Sequence, residues 1–150
     1  MDSHITLEPQ NRKRDPSLSA IQKVGAAILR DKKVLVVRKK TQDKSEYFMA
    51  GGRMEDDETQ KETLLRELKE ELGVDVKKLE YVGSYEDMAV FEGTPIIIHA
   101  YSVEILGEPA PQSEIKEYAW IDRDFEQKGI TLSSIMAKRV IPELIRRGLM

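Results

Sequence analysis

Apolar and polar positions alternate along this chain in a way that divides it into elements. Residues 20–40, AIQKVGAAILRDKKVLVVRKK, read as two strands meeting at a turn around Asp31-Lys32-Lys33. The second strand contains Val34-Leu35-Val36-Val37, rich in β-branched residues and therefore buried. TQDKSE is a polar loop, and EYFMAGG leads into Gly51-Gly52, a backbone path that side chains would obstruct. From residue 59 to 72 the period becomes helical, with Leu64, Leu65, Leu68 and Leu72 on one face and Gly73 at the left-handed cap position. Two further strands are predicted near 79–85 and 96–105, separated by a loop at Glu92-Gly93-Thr94-Pro95. GEPAPQSEIKE is a loop ending at a short strand, 118–121. The last segment, 132–147, has the pattern of an amphipathic helix with Pro142 inside it or beside a kink. Residues 1–19 are polar, hold Pro9 and Pro16, and carry a basic run at Arg12, Lys13 and Arg14. They are expected to form an arm outside a domain spanning 20–150, frayed or ordered only by a partner subunit or substrate.

The stretch RELKEELG inside the helix poses a physical problem. Taking Glu67 as zero at about 100° per residue, Glu70 falls near –60° and Glu71 near +40°, so the three carboxylates share one face. The leucines cover a neighbouring sector, and Arg66 and Lys69 the remaining side. Only Glu70 has a cation, Arg66, at helical spacing, and in the weaker order. A solvated charged face is one reading. A site for a hard divalent cation, Mg2+ or Mn2+, drawn to several carboxylate oxygens, is the other. Upstream, Glu55, Asp56, Asp57 and Glu58 add acid where it also suits the helix dipole.

Composition narrows the classes. The chain has 150 residues, 40% hydrophobic and 34% charged, which fits one domain with a real core. A net charge of -3 offers no general basic field for a nucleic-acid polymer. No run approaches the roughly 18–20 apolar residues of a membrane span. With no cysteine there is no disulfide, thiolate metal site or cysteine nucleophile. The N-terminus lacks the apolar core of a signal peptide, so a cytoplasmic location is expected.

The stretch GRMEDDETQKETLLRELKEELGV, residues 52–74, resembles the Nudix box. Its fixed positions are met by Gly52, Glu58, Arg66, Glu67, Leu68, Glu70, Glu71, Gly73 and Val74. The Gly107-Glu108-Pro109 loop and Trp120 also resemble the family. The resemblance implies an α/β Nudix fold, an α/β/α sandwich around a mixed β-sheet with the box as loop-helix-loop. It implies hydrolysis of a diphosphate linkage with Mg2+ or Mn2+, by water attack on phosphorus and without a covalent enzyme intermediate. Matched position by position, Glu67, Glu70, Glu71 and the carbonyl of Gly51 would be metal ligands. Glu58 would support or reach the metal cluster, and Arg66 would orient the acids by ion pairing. Some relatives use a further Glu from a later loop. Here Glu114 stands ahead of Trp120 as the candidate base, while Glu117 adjoins a strand and reads as structural. Ala50 and Asp57 depart from residues common in the family, Pro and Gly, at positions the box does not fix.

Substrate is less legible. Markers of the ADP-ribose, dinucleoside polyphosphate, NADH and coenzyme A subgroups are absent after the box. What remains is a small-molecule nucleotide: a nucleoside triphosphate, oxidised or not, or a nucleotide sugar. A nucleotide-sensing domain without catalysis is the alternative of another class. Tyr47, Tyr85, Phe91 and His99 are candidates for stacking on a base, although each is also a packing residue. Many relatives form homodimers, between whose subunits the arm could be exchanged.

Overall fold

The computed structural model describes residues 7–15, 19–41, 45–88 and 94–150. Among the described residues there are six strands: β1 (Ile21–Arg30), β2 (Lys33–Lys39), β3 (Phe48–Arg53), β4 (Asp75–Met88), β5 (Pro95–Leu106) and β6 (Ile115–Ile121). They form one mixed sheet in the order β4-β5-β1-β3-β2-β6. β1 is parallel to β5 and antiparallel to β2 and β3. Asp31 and Lys32 both have positive φ, 53° and 63°, giving the mirror-type turn whose twist suits a two-residue hairpin.

Side chains alternate across the sheet and so feed two cores. Val24, Ala26, Ile28, Leu35 and Val37 pack toward helix α1 (Gln60–Leu72). Ala27, Val34 and Val36 pack on the opposite face with Met136, Val140, Ile141 and Leu144 of the C-terminal helical segment. The fold is therefore the α/β sandwich that the box resemblance implies.

α1 starts with a capping box. The Thr59 hydroxyl accepts from the Glu62 N–H at 3.1 Å, and the Glu62 carboxylate accepts from the Thr59 N–H at 2.9 Å. The helix ends at Gly73, with φ of 68°. Leu64, Leu68 and Leu72 are buried as the pattern predicts, but Leu65 remains 38% exposed because it sits at the far edge of the apolar sector.

Three boundaries differ from the sequence reading. β4 extends well beyond the predicted strand at both ends, since its ladder with β5 carries polar residues that propensity alone would leave in loops, whereas β5 matches its predicted span to within one residue at each end. β6 likewise begins at Ile115. The C-terminal helix begins after Leu132, which instead bridges to Tyr47. It opens as a π turn, Met136–Val140, before α2 (Ile141–Arg146). Pro142 has no N–H to return to the preceding turn, and the wider turn before it, closed by Ile141 N–H on the Met136 carbonyl, absorbs the mismatch.

Residues 7–15 lie along their own chain. The Arg12 carbonyl accepts from the Gln60 N–H at 2.9 Å, Lys13 bridges to Thr59, and Arg14 pairs with Asp56. Among the described residues no helix is long and apolar enough to cross a membrane.

Asp57, where the family commonly has Gly, has φ of 69°. An L-residue is strained there, and Asp only partly escapes that cost. Asp57→Gly is expected to raise stability by about 0.5–1 kcal/mol, read from the denaturant midpoint at unchanged slope.

Candidate active site

β3 brings the glycine pair directly beneath the acidic face of α1. Gly51 has φ of 132°, and a Cβ there would lie 2.1 Å from the Val24 carbonyl oxygen. A Cβ on Gly52 would lie 2.4–2.6 Å from the Glu67 carboxyl group. The obstruction inferred from sequence is thus specific: Gly51 allows the strand to close on β1, and Gly52 makes room for Glu67. The Gly51 N–H donates to Glu71 Oε1 at 2.9 Å.

Arg66 organises the acids. Its Nε donates to Glu58 Oε2 at 2.7 Å and its Nη2 to Glu58 Oε1 at 2.9 Å. Its Nη1 donates to Glu67 Oε1 at 2.9 Å and reaches Glu70 Oε2 at 3.4 Å. The helical wheel allowed only the Arg66–Glu70 pair. That expectation is corrected, because the long guanidinium fork folds across its sequence neighbour toward the loop before the helix. Glu58 also accepts from the Thr63 hydroxyl and the Glu55 N–H, each at 2.9 Å. Chiefly because of the Arg66 bonds, its pKa drops to about 2. Glu58 is thereby a fixed anion that anchors Arg66, and a poor proton acceptor.

Glu71 is the opposite case. It is 2% exposed, and among the described residues its Oε2 has no hydrogen-bond partner. Burial first, and the nearby charges of Glu67 and Glu114, raise its pKa to about 7 against the stabilising Gly51 bond. Burial also raises Glu67. A buried carboxylate oxygen left without a donor is costly in a finished core but suits a site awaiting a cation. Among the described residues, no three acidic or histidine side chains already stand as a metal cage. Glu67 and Glu70 turn toward Arg66 instead. The donor set of carboxylates fits a hard divalent ion.

The loop after β5 is tied to the end of α1. Ala110 N–H donates to the Leu72 carbonyl and Gln112 N–H to the Glu71 carbonyl, both at 2.9 Å. That docking brings Glu114 toward the acids, whose pKa values it helps raise. The Glu114 carboxylate is 53% exposed and lies 3.5 Å from Lys39 Nζ. Glu117 instead pairs with Arg38 and accepts from the Tyr47 hydroxyl at 2.9 Å.

Beside Gly51 and Gly52 lies a cavity of about 190 Å³. Phe48, Met49, Ile98, Ile135 and Met136 form its apolar walls, Ser133 offers a hydroxyl, and Lys23 and Lys39 also line it. None of these was singled out from sequence. Tyr47 is engaged with Glu117 and lies under Arg38, whose guanidinium carbon is 4.7 Å from the ring centre. Tyr85 carries Arg139 at 5.2 Å. His99 Nδ1 bonds the Ser84 hydroxyl at 2.7 Å and its Nε2 meets Gln22 at 3.4 Å, which is a satisfied sheet histidine. Phe91 lies outside the described residues. Period-two alternation along β5 could have separated Ile98 from His99, but the wall from Ser133 to Met136 arrives only through tertiary packing.

Residues 21–130 match the family model described as NUDIX domain. The chain therefore belongs to the Nudix family. Among curated proteins, it is 38% identical over 88 residues to the CTP pyrophosphohydrolase of Escherichia coli strain K12, a match covering 57% of this chain and 64% of that relative. Among solved structures, it resembles the Escherichia coli ORF135 protein at 32% identity and a TM-score of 0.67, over 87% of this chain and 90% of that one. It superposes on the MutT protein of Methanosarcina mazei Go1 with a TM-score of 0.73 at 19% identity, over 91% and 100% of the two chains, a likeness of fold.

The Glu71 carboxyl yields a pH prediction. Its folded pKa of about 7 lies above the ordinary 4.5, so the folded state binds an extra proton between those values. Stability of metal-free protein therefore falls as pH rises through that window and stays reduced above it. Glu71→Gln should remove most of this fall, stabilising the chelated protein on the order of 3 kcal/mol at pH 8 and little at pH 5. Denaturant titrations at the two pH values, with chelator present, read the difference.

Proposed function

We propose that this chain is a metal-dependent pyrophosphohydrolase that cleaves a nucleoside triphosphate into nucleoside monophosphate and pyrophosphate. The observation that carries the reading is the buried, partnerless Oε2 of Glu71, beside Glu67 and against the glycine pair. Glu67, Glu70 and Glu71, with the Gly51 carbonyl, would hold Mg2+ or Mn2+. Their acids would be neutralised by such an ion, which would supply polarisation of phosphate oxygens and acidification of water.

The chain's own groups do the rest. Arg66, anchored on Glu58, holds Glu67 and Glu70 in register. Glu114 takes the proton of the attacking water, and Lys39, whose Nζ lies 3.5 Å away, orients its carboxylate. The water oxygen bonds to phosphorus as the anhydride bond breaks and pyrophosphate departs. The apolar cavity beside Gly51 takes the nucleoside, with the Ser133 hydroxyl offering a polar contact to the base. The name of the curated relative makes CTP the first substrate to test.

A panel of nucleoside triphosphates and nucleotide sugars, incubated with Mg2+ or Mn2+ and resolved by chromatography, tests the reading. Monophosphate and pyrophosphate should appear from a triphosphate, and excess chelator should abolish turnover. Release of orthophosphate alone, or full turnover in chelator, would refute it. Nucleotide-sugar cleavage alone would reassign the substrate within the same chemistry, and binding without turnover would mark a sensing domain.

Glu114→Gln keeps size and hydrogen bonding but removes the base. It should lower kcat by at least about 10², with KM little changed. Glu117→Gln, in the Arg38–Tyr47 cluster, should change kcat only a few-fold. Equal and small effects from both would return proton transfer to a carboxylate inside the box.

A further inference from the structure

Lys23 and Arg53 are directly opposed on the antiparallel strands β1 and β3. Like charges in that position repel and weaken the sheet. Lys39 adds a third cation, and Lys23 and Lys39 together line the cavity where it meets Gly51 and Gly52. The negative charges that Lys23 feels are those of Glu114 and Glu67. A strip of cations thus runs from the mouth of an apolar cavity along the border of the acidic face.

We infer that Lys23 is a phosphate-binding, specificity-determining residue that holds the phosphate chain of the substrate between the cavity and the acids. This rests on the hydrolase reading above and adds a residue outside the Nudix box. The chemistry follows from placement. A nucleoside seated against Met49 and Ile98 must pass its phosphates over the rim where Lys23 stands. An ammonium there bonds phosphate oxygens that the carboxylates themselves repel. A triphosphate carries more charge past that rim than a nucleotide sugar does, so the strip favours the triphosphate. The competing account is that Lys23 only tempers the acids. In that case its removal would destabilise the fold and leave phosphate affinity unchanged.

Calorimetric titration of inorganic pyrophosphate into the full chain, at fixed Mg2+, separates the two. Lys23→Met keeps the aliphatic stem and should weaken pyrophosphate binding about tenfold to a hundredfold, while Lys23→Arg should stay within a few-fold of the native chain. The midpoint of thermal unfolding should hold or rise in Lys23→Met, since a like-charge pair is relieved. In turnover, KM for the triphosphate should rise in proportion while kcat changes less. Equal pyrophosphate affinity in Lys23→Met and native chain, or no measurable binding to the native chain, overturns the inference. Lys23-dependent binding in a chain that cleaves no nucleotide would overturn the hydrolase reading and leave this one standing. Hydrolysis with KM and pyrophosphate affinity both unmoved in Lys23→Met would do the reverse.

Discussion

The Arg66 guanidinium spreads across Glu58, Glu67 and Glu70, and the acidic face is organised around it. Without that fork, three helix carboxylates and the acids of the preceding loop would repel one another with nothing to orient them. With it, Glu58 becomes a permanently ionised anchor, and Glu67 is drawn toward the glycine pair. Glu71 is left outside this arrangement, buried against the Gly51 amide with one oxygen unsatisfied. Opposite shifts in Glu58 and Glu71 express that division. One carboxylate has more donors than it needs, and the other has too few.

Backbone closeness makes the arrangement possible. Gly51 lets β3 approach β1 where any side chain would strike the Val24 carbonyl, and Gly52 admits the Glu67 carboxylate to the strand surface. The same two glycines border the cavity on the other face of the sheet. One short strand therefore links the acids on the α1 side to the apolar walls supplied by Phe48, Met49, Ile98 and the C-terminal helical segment.

The loop following β5 completes the geometry through main-chain bonds. Its amides cap carbonyls of the last turn of α1, so Glu114 approaches the acids although it is distant in sequence. Glu117 faces Arg38 and Tyr47, far enough along β6 to serve the sheet edge instead. Two glutamates of similar local context thus meet different surroundings because one precedes the strand and the other lies within it.

The acidic box, its helix, the Gly73 cap and the β1–β2 hairpin were legible in the amino-acid order because each depends on interactions within a few residues. Helical spacing put three carboxylates on one face, and the glycine pair signalled a tight path. The same local rules underestimated β4, whose polar positions are held by its partner strand β5, and they could not see the π turn that accommodates Pro142. They also missed Arg66 reaching Glu58 and Glu67, since a flexible side chain chooses among anions that the fold brings near. The cavity and the Lys23–Arg53 pair belong wholly to tertiary structure. Strand register decided which side chains of β1, β3 and β5 share a face, and no local preference carries that information.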